Sequence, residues 1–199
     1  MREYTIVKKG ETLEWSRVPV LPIDTLLWRE DCGISAFAKI CYDEENLYVY
    51  LEAKEENIRA VETSPIGSPW EDSCLEFFFR PEIDDDRYMN FEFNPNACFY
   101  VGIGHSLEDL MRLIPDGEVP FNANPVRTED GWYITYQIPR SFLRIFFPDV
   151  EFVSGKEIRA NCYKCGNCTV HPHYLSWNPV LCEKPAFHRP EDFGVMYFE

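Results

Sequence analysis

The sequence is short of positive charge: 19 Lys and Arg stand against 34 Asp and Glu, a net charge of −15. Phosphate recognition needs clustered cations, so this balance argues against nucleic acid as a partner. An anionic membrane surface is disfavoured by the same field. Long apolar runs are missing as well. No stretch reaches the ~18 residues of a membrane-spanning helix, and the opening MREYTIVKKGETLEW lacks the apolar core of a leader peptide. Glycine is scarce, 10 residues beside 15 prolines, which predicts short ordered connections and not flexible linkers. No internal repeat, P-loop, dinucleotide fingerprint, H-E-x-x-H motif or serine elbow is present. The expected partner is neutral or cationic, and a neutral polyol fits.

What the chain has in quantity is apolar and aromatic residues, 45% and 16% of the total. They recur with period two, the signature of strands. Residues 34–42 and 46–54 read as a hairpin around Asp43-Glu44-Glu45, with Leu47, Val49, Leu51 and Ala53 on one face. Further strands are predicted at 74–80, 88–93, 97–103, 131–138, 158–163, 174–177 and 194–198, with Asn94-Pro95-Asn96 as a turn. In 88–93, Met89, Phe91 and Phe93 alternate with Asn90 and Glu92, continued by Asn94, giving one apolar and one polar face. Helical periodicity is confined to the segment after Pro139 and to SLEDLMRLI at 106–114. The expectation is an all-β chain: a single domain over 1–199, an antiparallel β-sandwich of jelly-roll or immunoglobulin-like form, with one or two short helices.

Eight cysteines are present: Cys32, Cys41, Cys74, Cys98, Cys162, Cys165, Cys168 and Cys182. Several sit inside apolar strand patterns, where a thiol acts as a small hydrophobe. With no leader visible, the expectation is a reducing, cytoplasmic setting with mostly free thiols, or an extracellular one if a leader has been removed. Cys162, Cys165, Cys168 and His171, with His173 beyond, have a spacing that offers soft ligands to tetrahedral zinc. Against this, Cys162 falls in an alternating strand and no second C-x-x-C pair exists, so packing is the expected role.

Four segments carry a family resemblance: WEDSCLEFFF (70–79), YMNFEFNPNA (88–97), GWYITYQIPRSFL (131–143) and PEDFGVMYF (190–198). Together they resemble the family 9 carbohydrate-binding modules, and more closely their stand-alone relatives. The resemblance implies a non-catalytic β-sandwich that holds a mono- or oligosaccharide between aromatic rings. It makes Trp70 one of those rings and Glu76 a hydroxyl-binding acid. It also implies that structural calcium is a candidate, for which Asp84, Asp85 and Asp86 offer hard oxygen ligands. No other cofactor is expected.

The residues themselves agree with this. A pyranose presents a C–H patch ringed by hydroxyls, and proteins meet it with an aromatic face and planar polar side chains. Trp70 follows a Pro-rich approach and precedes a strand, and Trp177 stands before the Asn178-Pro179 turn, so two rim indoles are expected. Glu92 and Asn94 offer further polar groups, as do Arg159 and Asn161 on weaker sheet reasoning. Trp15, Trp28 and Trp132 are assigned to packing. Two other functions stand beside this one. A glycosidase would use two of Glu71, Asp72, Glu76 and Glu92, and a haem-binding sandwich would use Met89 and His188.

Overall fold

A computed structural model describes residues 1–31 and 33–199; Cys32 lies outside the described residues. The period-two segments become strands. In chain order these are β1 (Glu3–Lys8), β2 (Leu21–Ile23), β3 (Thr25–Leu26), β4 (Ser35–Tyr42), β5 (Asn46–Lys54), β6 (Cys74–Arg80) and β7 (Tyr88–Phe93). There follow β8 (Phe99–Gly104), β9 (Met111–Arg112), β10 (Asn124–Arg127), β11 (Gly131–Pro139), β12 (Glu157–Cys165), β13 (Tyr174–Ser176) and β14 (Gly194–Phe198). One α-helical turn, α1 (Arg140–Leu143), follows β11.

Two layers form. One has the order β10-β11-β5-β4-β1, with β2 on β4; the other runs β14-β12-β6-β7-β8-β9, with β13 on β12 and β3 on β13. β1 joins them, pairing β14 through Glu3–Ile6 and β4 through Val7–Lys8. The antiparallel sandwich forms as expected, and these two pairings of β1 are its parallel exceptions.

The core lies between the layers. Val49 and Leu51 of β5, Trp132 and Ile134 of β11, Phe77 of β6 and Phe91 of β7 are all fully buried in it. The alternation places the other face of β6, β7 and β12 outward, where solvent was expected. Instead that face is covered. Phe78, Tyr88 and Tyr163 form a second apolar cluster with Leu27, Val180 and Phe193 beneath the segments around 28 and 180–188. The molecule thus has a third, irregular layer over one sheet, and the cleft lies within it.

The helix expected at 106–114 does not form. Asp109 Oδ1 accepts the backbone N–H groups of His105 and Ser106 at 2.9 and 2.8 Å, closing a turn. The chain then pairs as β9 with β8, opposing Arg112 to Gly102. A side chain that captures local N–H groups competes with the helical ladder, and here it prevails.

Candidate functional site

Register builds the floor of the cleft. Tyr100 on β8 lies directly opposite Glu92 on β7, Glu92 opposite Glu76 on β6, and Glu76 opposite Tyr163 on β12. Period two puts all four on the covered face, while Phe77, Phe91 and Val101 go to the core. The two carboxyl groups are therefore cross-strand neighbours, at a spacing of about 5 Å between Cβ atoms. Both are nearly buried, at 2% and 3% exposure, yet both line a cleft of about 370 Å³. Among the described residues no Lys or Arg lines it.

One wall is Trp70. Pro69 opens a single 3₁₀ turn over Pro69–Glu71 and leaves the indole half-buried at the cleft edge. The Tyr100 ring meets it edge-on at 5.4 Å, and the Arg112 guanidinium sits over Tyr100 at 4.7 Å. The turn is stitched to the cysteine segment: Trp70 O accepts from Asn167 N and Glu71 O from Cys168 N, at 3.2 and 3.0 Å. Behind it, Asp72 accepts the N–H groups of Val61 and Glu62 and the Asn94 amide, all at 2.9 Å. These bonds fix the loop that carries the indole.

The opposite wall is aromatic too. Trp28, Tyr174 and Phe187 line the cleft and pack on one another at centroid separations of 5.6 to 6.0 Å. The Trp28 indole N–H donates to Cys182 O at 2.7 Å, anchoring the ring. Its backbone has φ of +54°, which for a bulky side chain is a strained conformation. Such strain concentrates where a side chain must be aimed.

The electrostatics follow from burial. Glu76 and Glu92 are held well above the usual carboxyl range, first by desolvation and then by neighbouring acidic groups, the Cys165 thiol for Glu76 and Glu76 itself for Glu92. Cys165 Sγ donates to Glu76 Oε1 at 2.9 Å, and Asn90 Nδ2 donates to Glu92 Oε1 at 2.7 Å. His188, at the rim and 2.8 Å from the Tyr88 hydroxyl, is pulled down to about 4 by burial. Two carboxyl groups whose charged forms are disfavoured thus lie between the aromatic walls, offering polar atoms to a ligand.

Of the residues expected at a site, the structure brings Trp70, Glu76 and Glu92 together. Trp177 does not join them. It is 2% exposed in the inter-sheet core, and the position a Cβ on Gly194 would take lies 2.5 Å from its ring. The indole fills the space left by that glycine, which accounts for the Gly of the closing strand. Asn94 is buried in its own turn, accepting Asn96 N and Cys98 N at 2.9 Å. Asn161 is spent on the backbone of Asn178 and Cys162. Arg159 pairs with Glu157 at 2.9 Å, away from the cleft.

The zinc set drawn from spacing does not assemble. Cys162 points into the core, Cys168 and His171 are exposed, and Cys165 alone borders the cleft. Met89 faces the core while His188 faces the cleft, so they cannot flank one haem. In the acidic loop, Asp85 pairs with Arg87 at 2.5 Å and Asp86 with Arg80 at 2.8 Å. The residue missed in the sequence was Trp28. It stands just after the short strand β3 and before the polar run Arg29-Glu30-Asp31, the signal that could have found it.

A two-layer β-sandwich with an aromatic-walled cleft over one sheet defines the class. The chain belongs to carbohydrate-binding family 9, whose sequence profile it matches over residues 8–198. Among solved structures it resembles a candidate carbohydrate-binding protein from Bacteroides uniformis, with 27% identity and a TM-score of 0.85; the match covers 100% of this chain and 99% of that one. Two structures of a family 9 module from Caldicellulosiruptor kristjanssonii, in complex with glucose and with cellotriose, are 12% identical, each with a TM-score of 0.71. They cover all of this chain and are themselves covered to 96% and 94%; at that identity the likeness is one of fold. No curated protein matches the sequence.

Proposed function

We propose that this protein binds a mono- or oligosaccharide in the cleft without acting on it chemically. The observation that carries the reading is the pairing of two aromatic walls, Trp70 with Tyr100 and Trp28 with Phe187, across a floor of two carboxyl groups. The walls take the C–H faces of a pyranose, and Glu76 and Glu92 take its hydroxyls. A cleft without Lys or Arg favours a neutral ring over an acidic one. The module from Caldicellulosiruptor kristjanssonii, which shares the fold, has been captured with glucose and with cellotriose.

Catalysis is disfavoured by geometry. Hydrolysis of a glycosidic bond needs carboxyl groups disposed on either side of the reacting centre. Glu76 and Glu92 are neighbours on one sheet face, so both lie on the same side of a bound ring. Asp72 is consumed by its loop and by Arg59, 3.1 Å away, and Glu71 points to solvent. Reducing-sugar release from a glycan panel is therefore expected to stay at background.

The direct test is titration of glucose and cello-oligosaccharides followed by tryptophan fluorescence and calorimetry. Affinity in the millimolar to micromolar range is expected, about −4 to −8 kcal/mol. Trp70→Ala and Trp28→Ala should each weaken binding by about tenfold or more, ~1.4 kcal/mol. Arg159→Ala should leave it within about 0.5 kcal/mol of the parent value. Trp70→Ala binding as well as the parent, or no saccharide binding at all, would end the proposal.

A further inference from the structure

Cys74 opens β6 and Cys165 closes β12, and the register sets them directly opposite each other. Period two puts both thiols on the cleft side of the sheet, where Glu76 stands two residues beyond Cys74. One oxygen of Glu76 and the two sulfurs all lie within 4.8 Å of one another, the one such trio of ligating groups among the described residues. All three side chains are buried, at 0%, 2% and 2% exposure.

Glu76 is served poorly by its surroundings. Its donors are thiols, Cys165 at 2.9 Å with Cys74 alongside, and no backbone N–H or cationic side chain reaches it among the described residues. A buried carboxyl ordinarily takes strong donors or a cation. The charge of Lys164 acts on it only through space, the ammonium being bonded to Glu55, His173 and the Cys165 carbonyl. Among the described residues no cation is in contact with the carboxyl.

We propose that Cys74, Cys165 and Glu76 form a binding site for a soft or borderline divalent metal ion of the zinc class. The donor chemistry selects it. Thiolate ligands favour d¹⁰ ions and disfavour calcium and magnesium, which take oxygen. Tetrahedral zinc with bonds of about 2.1 Å to oxygen and 2.3 Å to sulfur sets its ligands about 3.6–3.8 Å apart, within the span of this trio. Three protein ligands leave one position, and it faces the cleft, because Glu76 and Cys165 line it. Binding exchanges the ion for protons: two leave the thiols and a third leaves Glu76 when it is protonated, so the ion, two thiolates and one carboxylate sum to −1. The site differs from the set suggested by spacing, sharing only Cys165 with it, and it does not depend on saccharide binding.

The experiment uses the whole reduced, metal-free chain, with cadmium and zinc alone as probes. One cadmium per chain is expected by equilibrium dialysis, accompanied by a thiolate-to-metal ultraviolet absorption band and by proton release in weakly buffered solution. Cys74→Ser should roughly halve the band, since only the Cys165 thiolate is left to supply it, and weaken binding by about a hundredfold. Replacing the more accessible thiols together, Cys168→Ser with Cys182→Ser, should leave the band intact. Should Cys74→Ser fail to fold by circular dichroism, Glu76→Gln, which keeps shape and both thiols, should weaken zinc binding and remove the third proton. A band that keeps its full intensity in Cys74→Ser, or vanishes with Cys168 and Cys182, would overturn the assignment. So would the absence of stoichiometric binding by protein whose thiols are shown to be reduced.

Discussion

Lys164→Met is expected to lower the stability of the fold by about 3–5 kcal/mol, the cost of leaving one member of a buried ion pair alone. Lys164 is on β12, and its alternation turns it inward, where its side chain is fully buried. Nζ lies 3.2 Å from Glu55 Oε1, 2.8 Å from His173 Nε2 and 2.8 Å from the carbonyl of Cys165. Glu55 also accepts the Trp132 indole N–H at 2.6 Å and the Ser73 hydroxyl at 2.9 Å. Burial alone would raise the Glu55 carboxyl, but Lys164 first and these donors next outweigh it and carry it below its ordinary value. Without the lysine a carboxylate is stranded under the edge of the sandwich. Urea denaturation gives the measurement, and a shift in midpoint at constant slope is expected.

Two companions make that prediction sharper. Glu55→Gln combined with Lys164→Met should recover much of the loss, since a neutral pair leaves no buried charge. Loss of stability by the double variant equal to the sum of the singles would show that the two groups do not interact. His173 supplies a pH signature. Burial, then the charge of Lys164, draws its pKa down to about 4 from 6.5. A depressed histidine contributes stability that is present above pH 6.5 and lost as pH falls towards 4. That decline should be shallower in Lys164→Met, where the neighbouring charge is gone.

The strands were legible because one face of each meets a core. Leu47, Val49, Leu51 and Ala53 announce β5, and Leu75, Phe77 and Phe79 announce β6, by alternation alone. The short strands β2, β3, β9 and β10 were not legible. Two to four residues hold only one or two alternations, too few to stand out, and tertiary pairing decides them.

The site was half legible, for a different reason. Asn90, Glu92 and Asn94 look like a solvated strand face, and only the covering segments around 28, 105–110 and 180–188 turn it into a floor. That Glu92 opposes Glu76 is a fact of register between β6 and β7, which no local pattern encodes. Trp177 shows the converse error. A tryptophan before Asn178-Pro179 looks like a rim residue, yet the absence of a side chain on Gly194 opens a slot that draws the indole inside. Trp28 and Trp177 thus exchange the positions expected of them, and for Trp177 the outcome depends on Gly194, 17 positions further along the chain (194 − 177).

Glu92→Gln is expected to make the protein more stable at neutral pH while weakening saccharide binding. The stability half follows from the sign of the shift. Desolvation, then the neighbouring Glu76, raises the Glu92 carboxyl well above its unfolded value of 4.5. The native state therefore holds a proton that the unfolded chain gives up, and the associated stability is fully present below about pH 4.5. It is lost as pH rises towards the folded value, by up to about 1.4 kcal/mol per pH unit. Glutamine keeps the shape and the bond from Asn90 but never ionises, so the variant escapes the loss. Denaturation midpoints measured with a chelator present should show the variant ahead at pH 7–8, with the gap closing as pH falls to about 4.5. A gap that does not change with pH would show that Glu92 is not held protonated. The binding half is read by titrating the same two proteins with glucose or a cello-oligosaccharide. A variant that gains stability at neutral pH and loses saccharide affinity would assign the buried carboxyl to the ligand, and one that gains stability with affinity unchanged would remove Glu92 from the proposed site.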